Sequence, residues 1–326
     1  EKRKELFTLK KLDDIVETSI YAGKKTEVVL LENNSTGLSL NNARQIYRQV
    51  VGLNIYQNDD AGIQLNVGGR GLDPSRTSNF NTRQNGYDIA ADVLGYPESY
   101  YSPPAEALER IEIVRGAASL QYGTQFGGLI NFILKKPSDQ LGNRYTLRST
   151  NGSNGLLSGF FSLDGNYHKT SYYSFFNYKQ GHGFRENSNF NSYNGYIYLD
   201  KKINEDLHVS FEFTLLDYLA QQAGGMNDQM FQQNPLQSNR ARNWFNVNWL
   251  LYNLKLNYKL SKESHHTLSI FGLDAERFAL GYRSNRVAQL DPMIERDLIR
   301  GDFNNIGLEY KMLSRRKIKN IKNTNL

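Results

Sequence analysis

The chain has 326 residues, with 39 Lys and Arg against 33 Asp and Glu, 12% aromatic residues and no cysteine. The lack of cysteine excludes a disulfide framework and thiol or zinc-thiolate chemistry. No window approaches the roughly 18 apolar residues of a membrane helix, so any membrane role belongs to a barrel. Five of the charges behind the net +6 lie between Arg315 and Lys322. The rest is near neutral, which excludes nucleic acid as a partner, because phosphate binding needs a clustered basic face.

At roughly 150 residues per domain the length predicts two domains. EKRKELFTLK is charged and lacks the apolar core of a signal peptide, so the expected N-terminus is that of a processed or incomplete chain. Residues 1–31 are charged and weakly periodic, with the acidic-apolar run DDIVETS inside them. Ser39 is placed to cap a helix on which Leu40, Ala43, Ile46, Tyr47 and Val50 recur at helical spacing, with Gly52 ending it. LNIYQ and IQLNVGGRG read as strands, the second alternating Ile63, Leu65 and Val67 against Gln64 and Asn66.

A polar and aromatic excursion follows from Leu72 to Ser102, holding Arg76, Asn79, Arg83, Gln84, Tyr96 and Tyr100. Asn85-Gly86 is turn chemistry. Pro103 and Pro104 suit the first turn of a brief helix, which delivers Glu109 and Arg110 to the strand Ile111 to Val114. After Arg115-Gly116 come a helical turn, glycines at 123, 127 and 128, and a second apolar strand, Leu129 to Leu134, closing at Lys135-Lys136-Pro137. Such glycines fall where a chain turns tightly or lets another backbone approach.

Beyond Pro137 the character changes. In LHVSFEFTL, Leu207, Val209, Phe211, Phe213 and Leu215 alternate with His208, Ser210, Glu212 and Thr214, and WLLYNLKLNYKL and the stretch around Ile306 to Met312 do the same. Connections go short, short, long, short, very long (Leu219 to Asn243), short and long (Ala279 to Arg300). Tight turns at one end and extended loops at the other are the habit of outer-membrane barrels, whereas a soluble sandwich has no reason for them. Tyr198, Trp244, Trp249 and Tyr258 lie near strand ends, as interfacial aromatic girdles would. The closing LSRRKIKNIKNTNL abandons alternation, which predicts a frame-shifted or prematurely ended tail, or a basic arm for anionic surfaces, rather than a strand.

NVGGRGLDPSR, the run YYSPPAEALERIEIVRG and its continuation AASLQYGTQFGGLINFILKKP, followed by alternating aromatic strands, resemble the TonB-dependent outer-membrane receptors, and within them the ferric-citrate and siderophore group. The resemblance covers about Leu12 to Met312. It implies an α+β plug domain over 32–137, antiparallel transmembrane β-barrel strands over 138–312, and uptake of a ferric chelate across the outer membrane. By the resemblance, Asp14, Ile15, Val16, Glu17 and Thr18 form a Ton box that meets an inner-membrane energy transducer by strand addition. Arg70 and Arg115 correspond to plug arginines that pair with barrel carboxylates, a lock suited to release because a buried pair adds little net stability. Arg76, Asn79, Arg83, Gln84, Tyr96 and Tyr100 would touch the chelate, since guanidinium forks meet carboxylates bidentately and tyrosines add flat contact area.

Roughly eight strands fit between Arg144 and Met312. An eight-stranded barrel has room only for its own side chains, and plugged transporters use about 22 strands, so the barrel is expected to be incomplete and the chain a fragment. No HExxH, Cys/His metal spacing or phosphate loop occurs, which predicts neither enzyme nor cofactor. Iron would arrive inside its chelate. A ligand-sensing signalling receptor and a non-functional truncated product are the other readings.

Overall fold

The computed structural model describes residues 7–21, 26–31, 37–47, 50–57, 59–69, 71, 80–91, 100–123, 125, 127–138, 142–282, 286–318 and 321–325. The N-terminal domain contains β1 (Phe7–Lys10), β2 (Ile15–Val16), β3 (Ser19–Ile20), β4 (Thr26–Leu31), α1 (Ala43–Tyr47), β5 (Leu53–Gln57), β6 (Leu65–Gly69), β7 (Phe80–Gln84), β8 (Tyr87–Asp88), β9 (Leu108–Val114) and β10 (Gly128–Leu134). Six of these strands form one sheet in the order β1-β4-β9-β10-β7-β8. Among the described residues only β7 and β10 pair in parallel.

β10 is buried along its whole length, which is why GLINFIL is a continuous apolar run rather than an alternating one. Ile111, Ile113, Ile130 and Phe132 feed the main core, together with Ile46 and Tyr47 of α1. On the other side Val114 and Leu129 join Leu12, Tyr21, Val28 and Tyr122 in a small satellite core. The sheet thus reaches back past residue 32, because β4 pairs with β9 and brings β1 with it.

Two local expectations are corrected. The first helix is shorter than its periodicity, and Asn42, not Ser39, caps α1 by accepting the Gln45 amide at 3.2 Å. The turn after Pro104 is a single 3-10 turn, Ala105–Ala107, so Glu109 and Arg110 already belong to β9.

The rest is a wall of β11 (Gly142–Asn151), β12 (Leu157–Tyr167), β13 (Thr170–Gly181), β14 (Phe190–Lys202), β15 (Leu207–Gln221), β16 (Trp244–Lys259), β17 (Ser264–Leu280), β18 (Leu298–Ile318) and β19 (Ile321–Asn325), with α2 (Asp228–Gln233) in the longest loop. Every neighbouring pair is antiparallel and in sequence order, and among the described residues the sheet is not closed. The basic tail differs from expectation: β18 runs through it to Ile318 and pairs with β19. Backbone pairing, first to β17 and then to β19, carries the strand past the point where side-chain alternation stops.

Register aligns the outer face into rows. Leu207, Tyr258, His266 and Met312 lie side by side, then Val209, Leu256, Leu268 and Tyr310, then Phe211, Leu254, Ile270 and Leu308. Phe213, Tyr252, Gly272 and Ile306 form the next row. Ile306 and Leu308 are 73% and 67% exposed. Above them a polar row of Asp217, Asn248, Glu276 and Asp302 crosses all four strands. From Leu207 to Leu215 is about 27 Å along a strand at ~3.4 Å per residue, or roughly 20 Å along the normal at a tilt near 40°, close to the ~25 Å apolar band of outer-membrane barrels.

The opposite face packs on the N-terminal domain. Tyr198 and Trp249 have this inward parity, and Trp249 is 1% exposed, so they are not girdle residues. Trp244 and Tyr258 face outward as expected, 37% and 44% exposed.

Candidate functional site

The N-terminal domain meets the wall through polar side chains. β7 turns Arg83 toward β18, where the odd-numbered residues face inward. Arg83 Nη1 and Nη2 donate to Glu309 Oε2 and Oε1 at 2.9 and 2.5 Å, a bidentate fork. Its Nε donates to Asn81 Oδ1 at 2.8 Å, and its guanidinium lies 4.8 Å from the Tyr122 ring centroid. The Arg83 side chain is 4% exposed and that of Glu309 27%. Lys311 sits 3.4 Å from Glu309 on the same strand. Gln84 is also buried, donating to Tyr87 OH at 2.8 Å and Thr214 Oγ1 at 3.0 Å. Both residues, expected at the chelate, instead fasten domain to wall, because β7 runs inside the domain rather than at its tip.

Asn85 and Gly86, with φ of 46° and 90°, form the turn their sequence predicts. Asn85 Nδ2 donates to Glu212 Oε2 at 2.6 Å, and Tyr196 OH and Asn253 Nδ2 reach the same carboxylate at 2.9 and 3.3 Å. An aspartate at 85 would set a second carboxylate against Glu212, which is 2% exposed. Asn85→Asp is therefore expected to cost roughly 3 kcal/mol of stability, read as a lowered denaturant midpoint of the protein, with Asn85→Asp/Glu212→Gln recovering part of it.

Asp14 to Thr18 lies against the same wall. β2 and β3 form a tight hairpin, which Glu17 turns with a φ of 52° and which the Tyr21 amide closes on Asp14 O at 2.7 Å. The segment expected to be extended is thus folded back. Glu17 lies 3.2 Å from Lys255 and 3.7 Å from Lys136. Thr18 Oγ1 donates to Thr267 Oγ1 at 3.2 Å, Val16 packs on the satellite core, and Gln121 Nε2 donates to Ile20 O at 2.8 Å. Lys255, opposed by burial and aided by Lys136, brings the Glu17 carboxyl from 4.5 down to about 2. A depressed carboxyl contributes docking fully above its ordinary value and loses it as pH falls through the lowered one. Release of the hairpin is expected between pH 4.5 and about 2, measured as sharpening of the spectrum of a spin label at an Asp13→Cys variant.

Arg115 does not reach the wall. Its Nη1 donates to Val51 O at 2.9 Å and its Nη2 pairs with Glu27, both in the same domain, since β9 ends facing α1 and β4. The expected lock role therefore falls on Arg83, which sequence reading assigned elsewhere. Arg70, Arg76, Asn79 and Tyr96 lie outside the described residues. Tyr100 is at the long-loop end of the wall: its hydroxyl accepts from Arg277, and its ring lies 5.3 and 6.0 Å from Phe245 and Trp249.

A further anchor was missed altogether. Asp59 accepts the amides of Gly62, Ile63 and Gln64 and takes the Tyr218 hydroxyl at 2.7 Å, while Lys179 Nζ donates to Leu40 O and Ala61 O at 2.9 and 2.7 Å. The only sequence signal was inward parity of Lys179 and Tyr218 in otherwise amphipathic strands.

Residues 32–129 match the model of the TonB-dependent receptor plug domain. The ferric enterobactin receptor PirA of Pseudomonas aeruginosa is 32% identical over 121 residues, 33% of this chain and 16% of that protein. The unliganded ferric citrate transporter FecA superposes with a TM-score of 0.74 at 17% identity, over 90% of this chain and 44% of that one. P. aeruginosa FpvA bound to a ferric pyoverdine gives 0.71 at 14% identity, over 92% and 41%. The chain thus spans less than half the length of the proteins it resembles. Residues 32–129 are thus a TonB-dependent receptor plug domain, and this plug sheet, held by buried polar contacts to a wall with an outward apolar band, has the fold of a plug with a run of barrel strands as in the solved transporters it resembles.

Proposed function

We propose that the receptor takes up an anionic, carboxylate-rich ferric chelate, ferric citrate being the first candidate, and moves it inward when an inner-membrane transducer of the TonB type draws on Asp14 to Thr18. The chelate is contacted at the plug apex by Arg76, Asn79, Tyr96 and Tyr100. Iron enters as part of the substrate and needs no protein-held cofactor. Lipid surrounds the apolar band. Like the transport receptors it matches, the protein is not an enzyme.

The observation that carries this reading is the position of Tyr100. Tyr100 lies between a wall arginine, Arg277, and the buried rings of Phe245 and Trp249 that hold it; its own ring and the Arg277 guanidinium, both half-buried, offer a flat surface and a cation fit for a charged chelate. The names of the similar proteins, which speak of ferric enterobactin, ferric citrate and a pyoverdine–iron complex, support a ferric chelate as the coarser substrate class. Titration with ferric citrate, followed by the fluorescence of the two tryptophans, is expected to give a saturable change dominated by Trp249. No change with citrate but a change with another ferric chelate would remove the citrate assignment. No change with any ferric chelate would remove the reading.

A further inference from the structure

Between the hairpin, the plug and the wall lies a cavity of about 120 Å³. It has room for a handful of waters and none for a chelate. Its boundary carries five cations, Arg110, Lys135, Lys136, Lys255 and Lys311, against four carboxylates, Glu17, Glu112, Glu212 and Glu309. Three of those carboxylates belong to the body of the plug or to the wall: Glu112 holds Arg110, Glu309 holds Arg83 and Lys311, and Glu212 accepts Asn85, Tyr196 and Asn253. Glu17 differs. It arrives on the hairpin, and its two ion partners are Lys255 and Lys136.

We infer that the hairpin is at once the stopper and the removable counter-ion of a second, inner station for the anionic chelate, lined by Lys136, Lys255 and Lys311. Withdrawing residues 14–20 does two things together. It takes away the side chains of Val16, Glu17 and Thr18 that close the cavity, and it leaves five cations facing three carboxylates. The space becomes larger and more positive in the same movement, so an anion passing the apex meets a receptive site only once the transducer has acted. In the docked state Glu17 fills that site electrostatically, which keeps stray anions out. Satellite-core packing fits this division of labour. Leu12, Val16 and Tyr21 rest on a cluster separate from the main core, so the stopper can leave without disrupting the plug's attachment at Asp59 and Lys179. The inference rests on the uptake reading above and adds a site to it.

The test is uptake of radiolabelled ferric citrate by cells carrying the receptor in their outer membrane, with surface binding measured separately in de-energised cells. The double variant Lys136→Gln/Lys255→Gln is expected to bind at the surface with unchanged half-saturation and to lose at least tenfold in maximal uptake rate. Lys136→Arg/Lys255→Arg, which keeps the charge, is expected to restore the rate. Uptake at the parental rate in the glutamine variant, or failure of the arginine variant to the same degree, would overturn the inner station while leaving apex binding intact. Absence of both binding and uptake in the parental receptor would instead overturn the uptake reading, and the station with it.

Discussion

Arg83→Met is expected to loosen the plug by about 3 kcal/mol, near the lower end of the cost of stripping one partner from a buried ion pair. The lower end applies because Glu309 keeps 27% of its side chain exposed, so water and Lys311, 3.4 Å away, take up part of its charge. The cost comes from the unpaired Glu309 rather than from the fork itself. Arg83→Met/Glu309→Leu should therefore be more stable than the single variant, with recovery left incomplete by Lys311. Hydrogen exchange of the Asn81 to Gln84 amides reads the effect directly, since β7 is held to β10 on one side and to the wall through Arg83. An effect under about 1 kcal/mol, the range of exposed pairs, would show that the pair is not withdrawn from water as described.

Gly128→Ala is expected to be the most damaging single methyl in the plug. Gly128 has a φ of +115°, a region L residues rarely adopt, and an added Cβ would lie 2.2 Å from the Val114 carbonyl oxygen. That oxygen belongs to the paired backbone of β9, where Leu129 opposes Val114, so it cannot swing aside as a flexible side chain would. Backbone strain of ~1–3 kcal/mol adds to a clash that must part the two central strands. A loss above about 4 kcal/mol is expected, in the class reserved for disrupted cores and special backbone positions. Failure of the plug to protect β10 from exchange is the readout. Gly71, also at positive φ but with open space around its Cβ, serves as the contrasting substitution, expected to cost strain alone.

The adjacent Gly127 and Gly128 were legible in the sequence, as were the two apolar strands beside them, because continuous apolar runs bounded by glycines leave little freedom in how they fold. The inward and outward faces of β15, β16 and β18 were equally legible, since a period of two leaves each side chain one choice. What failed was whatever depended on partners far along the chain. Arg83 stood among Thr, Asn and Gln and read as a loop residue, yet Glu309, its partner, is 226 positions away. Arg115 preceded a glycine at a strand end, a local pattern that says nothing about whether the side chain points to the wall or to Glu27. Trp249 read as a strand-end residue but lies inside β16 (Trp244–Lys259), and its parity, which decides between girdle and lumen, was visible in WLLYNLKL but outweighed by its type. β19 could not be read from alternation because its pairing is a backbone matter.

The most direct test of the account is energy-dependent uptake of radiolabelled ferric citrate by cells expressing the receptor, compared with cells in which residues 14–18 are replaced by a glycine-serine stretch of equal length. Surface binding is expected in both, and accumulation only with the native segment. Accumulation that persists without that segment, or a native receptor that neither binds nor accumulates any ferric chelate, would contradict it.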